Sequence, residues 1–174
     1  MAGGRASKAK GSAFERDVCV KLSLWISEGK NKDLFWRSAM SGGRASRGLT
    51  RGDILRRQAG DITAVAPEGH VLTDQFYIEL KHLKNLAMMS FVVSNSGALQ
   101  REWVKTIKQA HCFGRIPMMI VKQNNYATLV LVAGSMYRPR TNPLVSRRIP
   151  LATVRGVNLY LFDELLEERF TVCL

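Results

Sequence analysis

Cysteine is scarce in this 174-residue chain: Cys19, Cys112 and Cys173 are the only three, far apart and without Cys-x-x-Cys or Cys/His ligand spacing. An odd, scattered set argues against a disulfide framework and for reduced thiols, hence a reducing compartment, the cytoplasm of a bacterial, archaeal or virus-infected cell. The three histidines, His70, His82 and His111, are just as scattered. A zinc centre built on nitrogen and sulfur is therefore not expected, and any metal should be a hard one held by oxygen. Long apolar runs are missing too. The longest, around residues 86–93 and 116–121, fall well short of the roughly 18 that a membrane-spanning helix needs. Residues 1–13 contain no apolar core of the kind a secretory signal carries, so no membrane association is expected. Acid is in short supply: 14 Asp and Glu face 26 Lys and Arg, for a net charge of +12 and a pI near 10.1.

What is present is a globular composition, 46% hydrophobic and 8% aromatic, which excludes wholesale disorder and fibrous repeats. The length suits one domain, expected over residues 12–174 behind a basic flexible tail at residues 1–11. Charge is uneven. Residues 1–57 hold 13 basic and 5 acidic side chains, net +8, against 13 and 9, net +4, for the remainder. Arg37, Arg44, Arg47, Arg51, Arg56 and Arg57 flank or occupy a Gly/Ser-rich stretch whose only acid is Asp53, read as a basic loop at residues 42–60. A second group, Arg138, Arg140, Arg147, Arg148 and Arg155, contains no acid. Arginine's fork matches phosphate oxygens, so nucleic acid is the expected partner, with a solvated face as the plainer explanation.

Periodicity outlines the elements. Residues 12–27 set Phe14, Val18, Leu22, Trp25 and Ile26 at helical spacing, and Ser12 followed by Glu15 reads as a capping box. Residues 34–37 read as a short strand. Residues 61–66 and 76–81 are β-rich runs around a Pro67-Glu68-Gly69 turn signal, predicting an antiparallel hairpin. A helix over residues 99–113 ends at Gly114 and feeds a strand at 117–121. Further strands are expected at 126–132 and 157–162, then a short acidic helix at 163–170.

On the strand Tyr77-Ile78-Glu79-Leu80-Lys81, a period of two puts Glu79 and Lys81 on one face. The hairpin would bring Asp61 beside them. Two carboxylates next to a lysine can hold Mg²⁺ and position water for attack on a phosphodiester. Singly, each piece is ordinary: Asp after Gly is a turn residue, Glu-x-Lys is common on solvated strands, and a capping box explains Glu15. Glu15 nevertheless lies at the edge of the apolar stripe and could point into a site.

Taken in order, Lys10-Gly11-Ser12-Ala13-Phe14-Glu15-Arg16, Arg37-Ser38-Ala39-Met40-Ser41-Gly42, Gly60-Asp61-Ile62 and Ile78-Glu79-Leu80-Lys81 resemble the PD-(D/E)xK nuclease superfamily, and within it the archaeal-type Holliday junction resolvases. The resemblance covers about residues 10–122 and implies an α/β fold, a restriction-endonuclease-like mixed central sheet flanked by helices. It implies that Asp61 and Glu79 bind the metal, with the Leu80 carbonyl as a further ligand and Glu15 completing the acidic site. Lys81 would act on the attacking water, Ser41 would sit beside the scissile phosphate, and Arg37 with the loop arginines would track the DNA backbone. Mg²⁺, replaceable by Mn²⁺, would be the cofactor, with no small-molecule cofactor besides. There are two departures: Gly60 stands where the pattern has proline, and the loop at 42–60 is longer and more basic.

The expected function is Mg²⁺-dependent, structure-selective cleavage of DNA, four-way junctions foremost. The alternatives are a general or nicking endonuclease of a virus or mobile element, and a non-catalytic nucleic-acid-binding protein of the same fold. Junction cleavage in two like-polarity strands implies a two-fold homodimer, with residues 86–93 and an edge strand at 126–132 as candidate interface surfaces.

Overall fold

A computed structural model describes residues 3–38, 59–134 and 149–167 of the chain. The loop residues Ser41, Arg44, Arg47, Arg51, Arg56 and Arg57, and four of the five arginines of the second group, lie outside the described residues.

The first helix, α1 (Gly3–Ile26), buries Phe14, Val18, Cys19 and Leu22, a stripe at spacings of four and three that faces the core. It begins at least nine residues before the expected start, so residues 3–11 are helical and Ser12 is an interior position, not a cap. The capping-box reading of Ser12 and Glu15 is therefore corrected: the Ser12 hydroxyl accepts from Arg16 and Arg37 at 2.9 and 2.8 Å. The helix ends where the Gly29 amide bonds back to the Leu24 carbonyl and Glu28 adopts φ +51°, a left-handed close.

Ser23, fully buried, ties α1 to the first strand. Its hydroxyl donates to the Cys19 carbonyl at 2.7 Å and accepts from the amides of Leu34 and Phe35, both at 3.1 Å. Strand β1 (Phe35–Arg37) is thereby seated on the helix and pairs antiparallel with β2 (Ile62–Ala64), Arg37 opposite Ile62.

The expected hairpin between β2 and the next strand does not form. Pro67 starts a 3₁₀ turn (Pro67–Gly69), which runs into a short helix, α2 (His70–Thr73). Proline at the first helical position has its ring angle preset and no amide to satisfy, so this turn signal was a helix start. Strand β3 (Phe76–Leu83) then pairs in parallel with β4 (Ile116–Gln123). The crossover between them consists of α3 (Met88–Ser94), which the periodicity did not reveal, and α4 (Gly97–Cys112). After β4 come β5 (Leu129–Ala133), β6 (Ala152–Val154), β7 (Val157–Leu161) and α5 (Phe162–Glu167). The mixed sheet has the order β3-β4-β5-β7-β6.

Alternation along the strands loads both faces of this sheet. Ile78, Leu80, Met118, Ile120, Val130 and Val132 join the α1 side, whereas Met119, Val121 and Leu131 pack with Leu99 and Trp103 of α4. The fold is α/β, a restriction-endonuclease-like mixed sheet flanked by helices. β5 lies inside the sheet, not at its edge, so it offers no interface surface of the expected kind. Residues 86–93 divide: Leu86 and Phe91 are core, while Met89 and Val93 are exposed. No helix among the described residues is long and apolar enough to cross a membrane.

Candidate active site

β3 is an edge strand of the five-stranded sheet, so the polar groups on its outer side are free to hold something other than another full strand. They hold Asp61. The Asp61 amide donates to the Ile78 carbonyl at 2.8 Å, and the Leu80 amide donates to Asp61 Oδ2 at 2.8 Å. Within a strand, the amide and carbonyl of one residue point to the same side, so the Leu80 carbonyl also faces this edge.

Such a close approach depends on Gly60. Its φ is +89°, and a Cβ built there would lie 2.6 Å from the Ile78 carbonyl oxygen. On the other side of Asp61, its carbonyl accepts from the Ser38 amide at 2.9 Å, which carries the β1–β2 ladder up to the site and sets Arg37 beside it.

The pleat sends Tyr77, Glu79 and Lys81 to the α4 side of β3. Lys81 Nζ lies 2.7 Å from Glu79 Oε1 and 3.6 Å from Glu102 Oε2 on α4. The Tyr77 hydroxyl donates to Glu79 Oε2 at 3.4 Å, and its ring stacks on Phe113 at 5.9 Å between centroids. Glu15, from α1, accepts from Arg37 Nε. Arg37 was expected to track DNA; here its guanidinium bridges Glu15 and Ser12.

The electrostatics reflect burial and crowding. Burial, then the charge of Glu79, push the Asp61 carboxyl up to about 7, against the Leu80 hydrogen bond and Lys81, with Glu15 adding to the rise. For Lys81, burial pulls downward, but Glu79 at hydrogen-bond range together with Asp61 and Glu102 outweighs it, and the ammonium is held above its ordinary value. Burial raises Glu102, yet the hydrogen bond from Lys105 and the charge of Lys81 bring it below its ordinary value. Burial and then Glu15 push the Cys19 thiol up to about 12, which keeps it protonated at neutral pH.

Among the described residues no group of three or more His, Cys, Asp or Glu side chains could hold a metal ion. The oxygen pair Asp61 and Glu79 still fits a hard dication, because Mg²⁺ commonly takes one or two carboxylates and completes its shell with water and phosphate oxygens. Two crowded carboxylates, one of them forced up toward neutrality, are a donor set short of positive charge.

The structure thus brings Asp61, Glu79 and Lys81 together, with Glu15 and Arg37 adjoining. Sequence reasoning passed over Tyr77 and Glu102. Tyr77 was readable, since it shares the face of Glu79 by the period of two. Glu102 had a weaker signal: an acid set beside the buried stripe of Leu99, Trp103, Thr106 and Ala110. We expect Glu102→Gln to lower kcat about tenfold with little change in Tm, and to move the alkaline limb of the rate–pH profile to lower pH, because Lys81 loses one anion that keeps it protonated. An unmoved limb would make Glu102 merely structural.

Compared with known families, residues 6–155 match the one described as "Phage putative PDDEXK endonuclease". No curated protein and no solved structure matches.

Proposed function

We propose that this chain, which belongs to the phage PDDEXK endonuclease family, is a Mg²⁺-dependent, structure-selective DNA endonuclease whose reaction centre is Asp61, Glu79 and Lys81. The observation that carries this reading is the clamp of Asp61 on the edge of β3, which sets a buried carboxylate beside the Glu79–Lys81 pair. Asp61 and Glu79 would hold the cation, with the Leu80 carbonyl facing the same edge, and Mn²⁺ would substitute. When bound, the cation offsets negative charge on the phosphoryl oxygens and makes water a better nucleophile.

The remaining work falls to side chains. Lys81 is caught between Glu79 and Glu102, so it stays protonated and fixed in place, ready to orient a water and to stabilise charge developing on the phosphoryl group. Glu79 is itself steadied by the Tyr77 hydroxyl. Glu15 adds negative potential from α1, and Arg37 with Arg44, Arg47, Arg51, Arg56 and Arg57 would attract the DNA backbone. Ser41 is assigned a place beside the scissile phosphate on the resolvase resemblance alone.

The substrate has two readings. The resemblance to archaeal-type resolvases supports four-way junctions cut by a homodimer; the match to a phage endonuclease family supports the alternative, a general or nicking endonuclease of a virus or mobile element. Cleavage of a four-way junction, a nicked duplex and a linear duplex at one salt concentration separates them, with sedimentation giving the oligomeric state. We expect Mg²⁺-dependent cutting that EDTA stops and that Lys81→Met slows by about 10²- to 10³-fold, with only a modest fall in Tm, from the loss of the cation that Glu79 and Glu102 share. Salt-sensitive binding with no cutting in Mg²⁺ or Mn²⁺ would overturn the enzyme in favour of a binding protein.

A further inference from the structure

Trp36 is hard to explain as part of the fold. Its neighbour Phe35 takes the core position on β1, whereas Trp36 is 63% exposed. Leaving a large aromatic in water forgoes burial that would otherwise contribute about 1.5–3 kcal/mol, and a solvated three-residue strand has no need of one. Beside it lies a cavity of about 360 Å³ whose lining includes Arg16, Lys32, Asp33, Phe35, Trp36 and Arg37. Three of these are cations and one is an acid. An exposed aromatic that shares a cavity with several cations is an arrangement by which proteins hold unpaired bases: the ring stacks on the base and the cations meet the flanking phosphates. The cavity is within the size range of small-ligand sites, which suits one nucleotide.

Its position matters. Arg37 lines this cavity and also binds Glu15 and Ser12 through Nε and Nη1, and a guanidinium has five donors in all. Ser38, two residues beyond Trp36, donates its amide to the Asp61 carbonyl. At about 3.3 Å per residue along a strand, the Trp36 backbone lies roughly 7 Å from that of Ser38, which grips the Asp61 segment.

We propose that Trp36, with Arg16, Lys32 and Arg37, forms a stacking pocket for one unpaired nucleotide of the DNA substrate. This rests on the nuclease reading and narrows it: the preferred substrate class is DNA with an unstacked base next to the cut, as at a gap, flap or branch. In an uninterrupted duplex both faces of every base are covered by its neighbours, so no ring can stack there.

The 174-residue chain in EDTA tests this with 2-aminopurine placed in a single-stranded gap and, separately, in an otherwise identical intact duplex. Binding should quench the probe in the gap and leave it unchanged in the duplex. Trp36→Ala should weaken gapped-DNA binding about tenfold to a hundredfold, bringing the gapped-to-duplex ratio near one, while Trp36→Phe, which keeps a ring, restores most of it. Arg16→Ala should reduce the salt dependence of gapped-DNA binding by about one counterion. No quenching, or an equal loss on both DNAs in Trp36→Ala, overturns the pocket. Because these measurements need no cleavage, they can fail while Mg²⁺-dependent cutting persists, in which case the pocket alone is lost. Absence of cutting by the wild-type protein removes the nuclease reading and leaves the binding result to stand.

Discussion

Asp61→Asn is expected to remove DNA cleavage by about 10³-fold or more and, at pH 8 without metal, to raise Tm by about 8–16 °C. The gain in stability comes from the surroundings of Asp61. Its carboxyl is pushed from an ordinary value of 3.8 to about 7 by burial and then by Glu79, so ionising it costs the folded state on the order of 4 kcal/mol. Between pH 4 and 7 the folded chain keeps a proton that the unfolded chain has released; stability from this group therefore falls as pH rises through that window, and the cost is complete above pH 7. Below pH 4 both states are protonated and the cost vanishes. Asparagine carries no charge and its oxygen can still accept from the Leu80 amide, so the gain should appear at pH 8 and be absent at pH 4. Mg²⁺, by neutralising the pair, should stabilise the wild type at pH 8 far more than the variant. Thermal melts at the two pH values with and without Mg²⁺, alongside cleavage assays, decide it. Undiminished cutting would take Asp61 out of the reaction, and equal melts at pH 8 would mean that its charge carries no folding cost.

Gly60→Pro writes into this chain the proline that the superfamily pattern carries before the aspartate, and here it should damage the enzyme. Proline fixes φ near −65°, whereas Gly60 sits at +89° with its α-carbon against the Ile78 backbone. Any Cβ would come within 2.6 Å of the Ile78 carbonyl oxygen, and that atom belongs to a strand held to β4, so it cannot swing aside as a side chain would. The chain must move instead, breaking the Asp61 amide bond to Ile78 and the Leu80 amide bond to the carboxylate. A loss of about 2–4 kcal/mol is expected, with cleavage falling at least 10²-fold. Gly60→Ala should show the same direction with a smaller fall in Tm. Because strain could unfold the protein outright, activity is best compared below the variant's own melting transition. Full activity there would show that the clamp on Asp61 is not needed.

What could be read from the sequence was what local chemistry sets. The period of two placed Glu79 and Lys81 on one face of β3, the period of three and four marked the α1 and α4 stripes, and the excess of arginine pointed to phosphate. The α/β class and the shared face of Glu79 and Lys81 were legible for that reason: each depends on neighbours a few positions away. Tertiary structure decided which elements meet. β2 was expected to pair with β3 as a hairpin, yet it pairs with β1, and β3 pairs in parallel with β4. Strand pairing is chosen by which arrangement buries both sheet faces, a sum over the whole chain, whereas the turn signal at Pro67 is equally good at starting a helix. Glu102 joins Lys81 only because the α3–α4 crossover lays α4 on the sheet beside β3, and Arg37 turns to Glu15 only because Ser23 seats β1 on α1. Asp61 reached Glu79 and Lys81 as expected but by another route. It is held by the free edge of β3 and not by a hairpin ladder, and a glycine without a side chain is what lets two backbones approach closely enough for that edge to grip it.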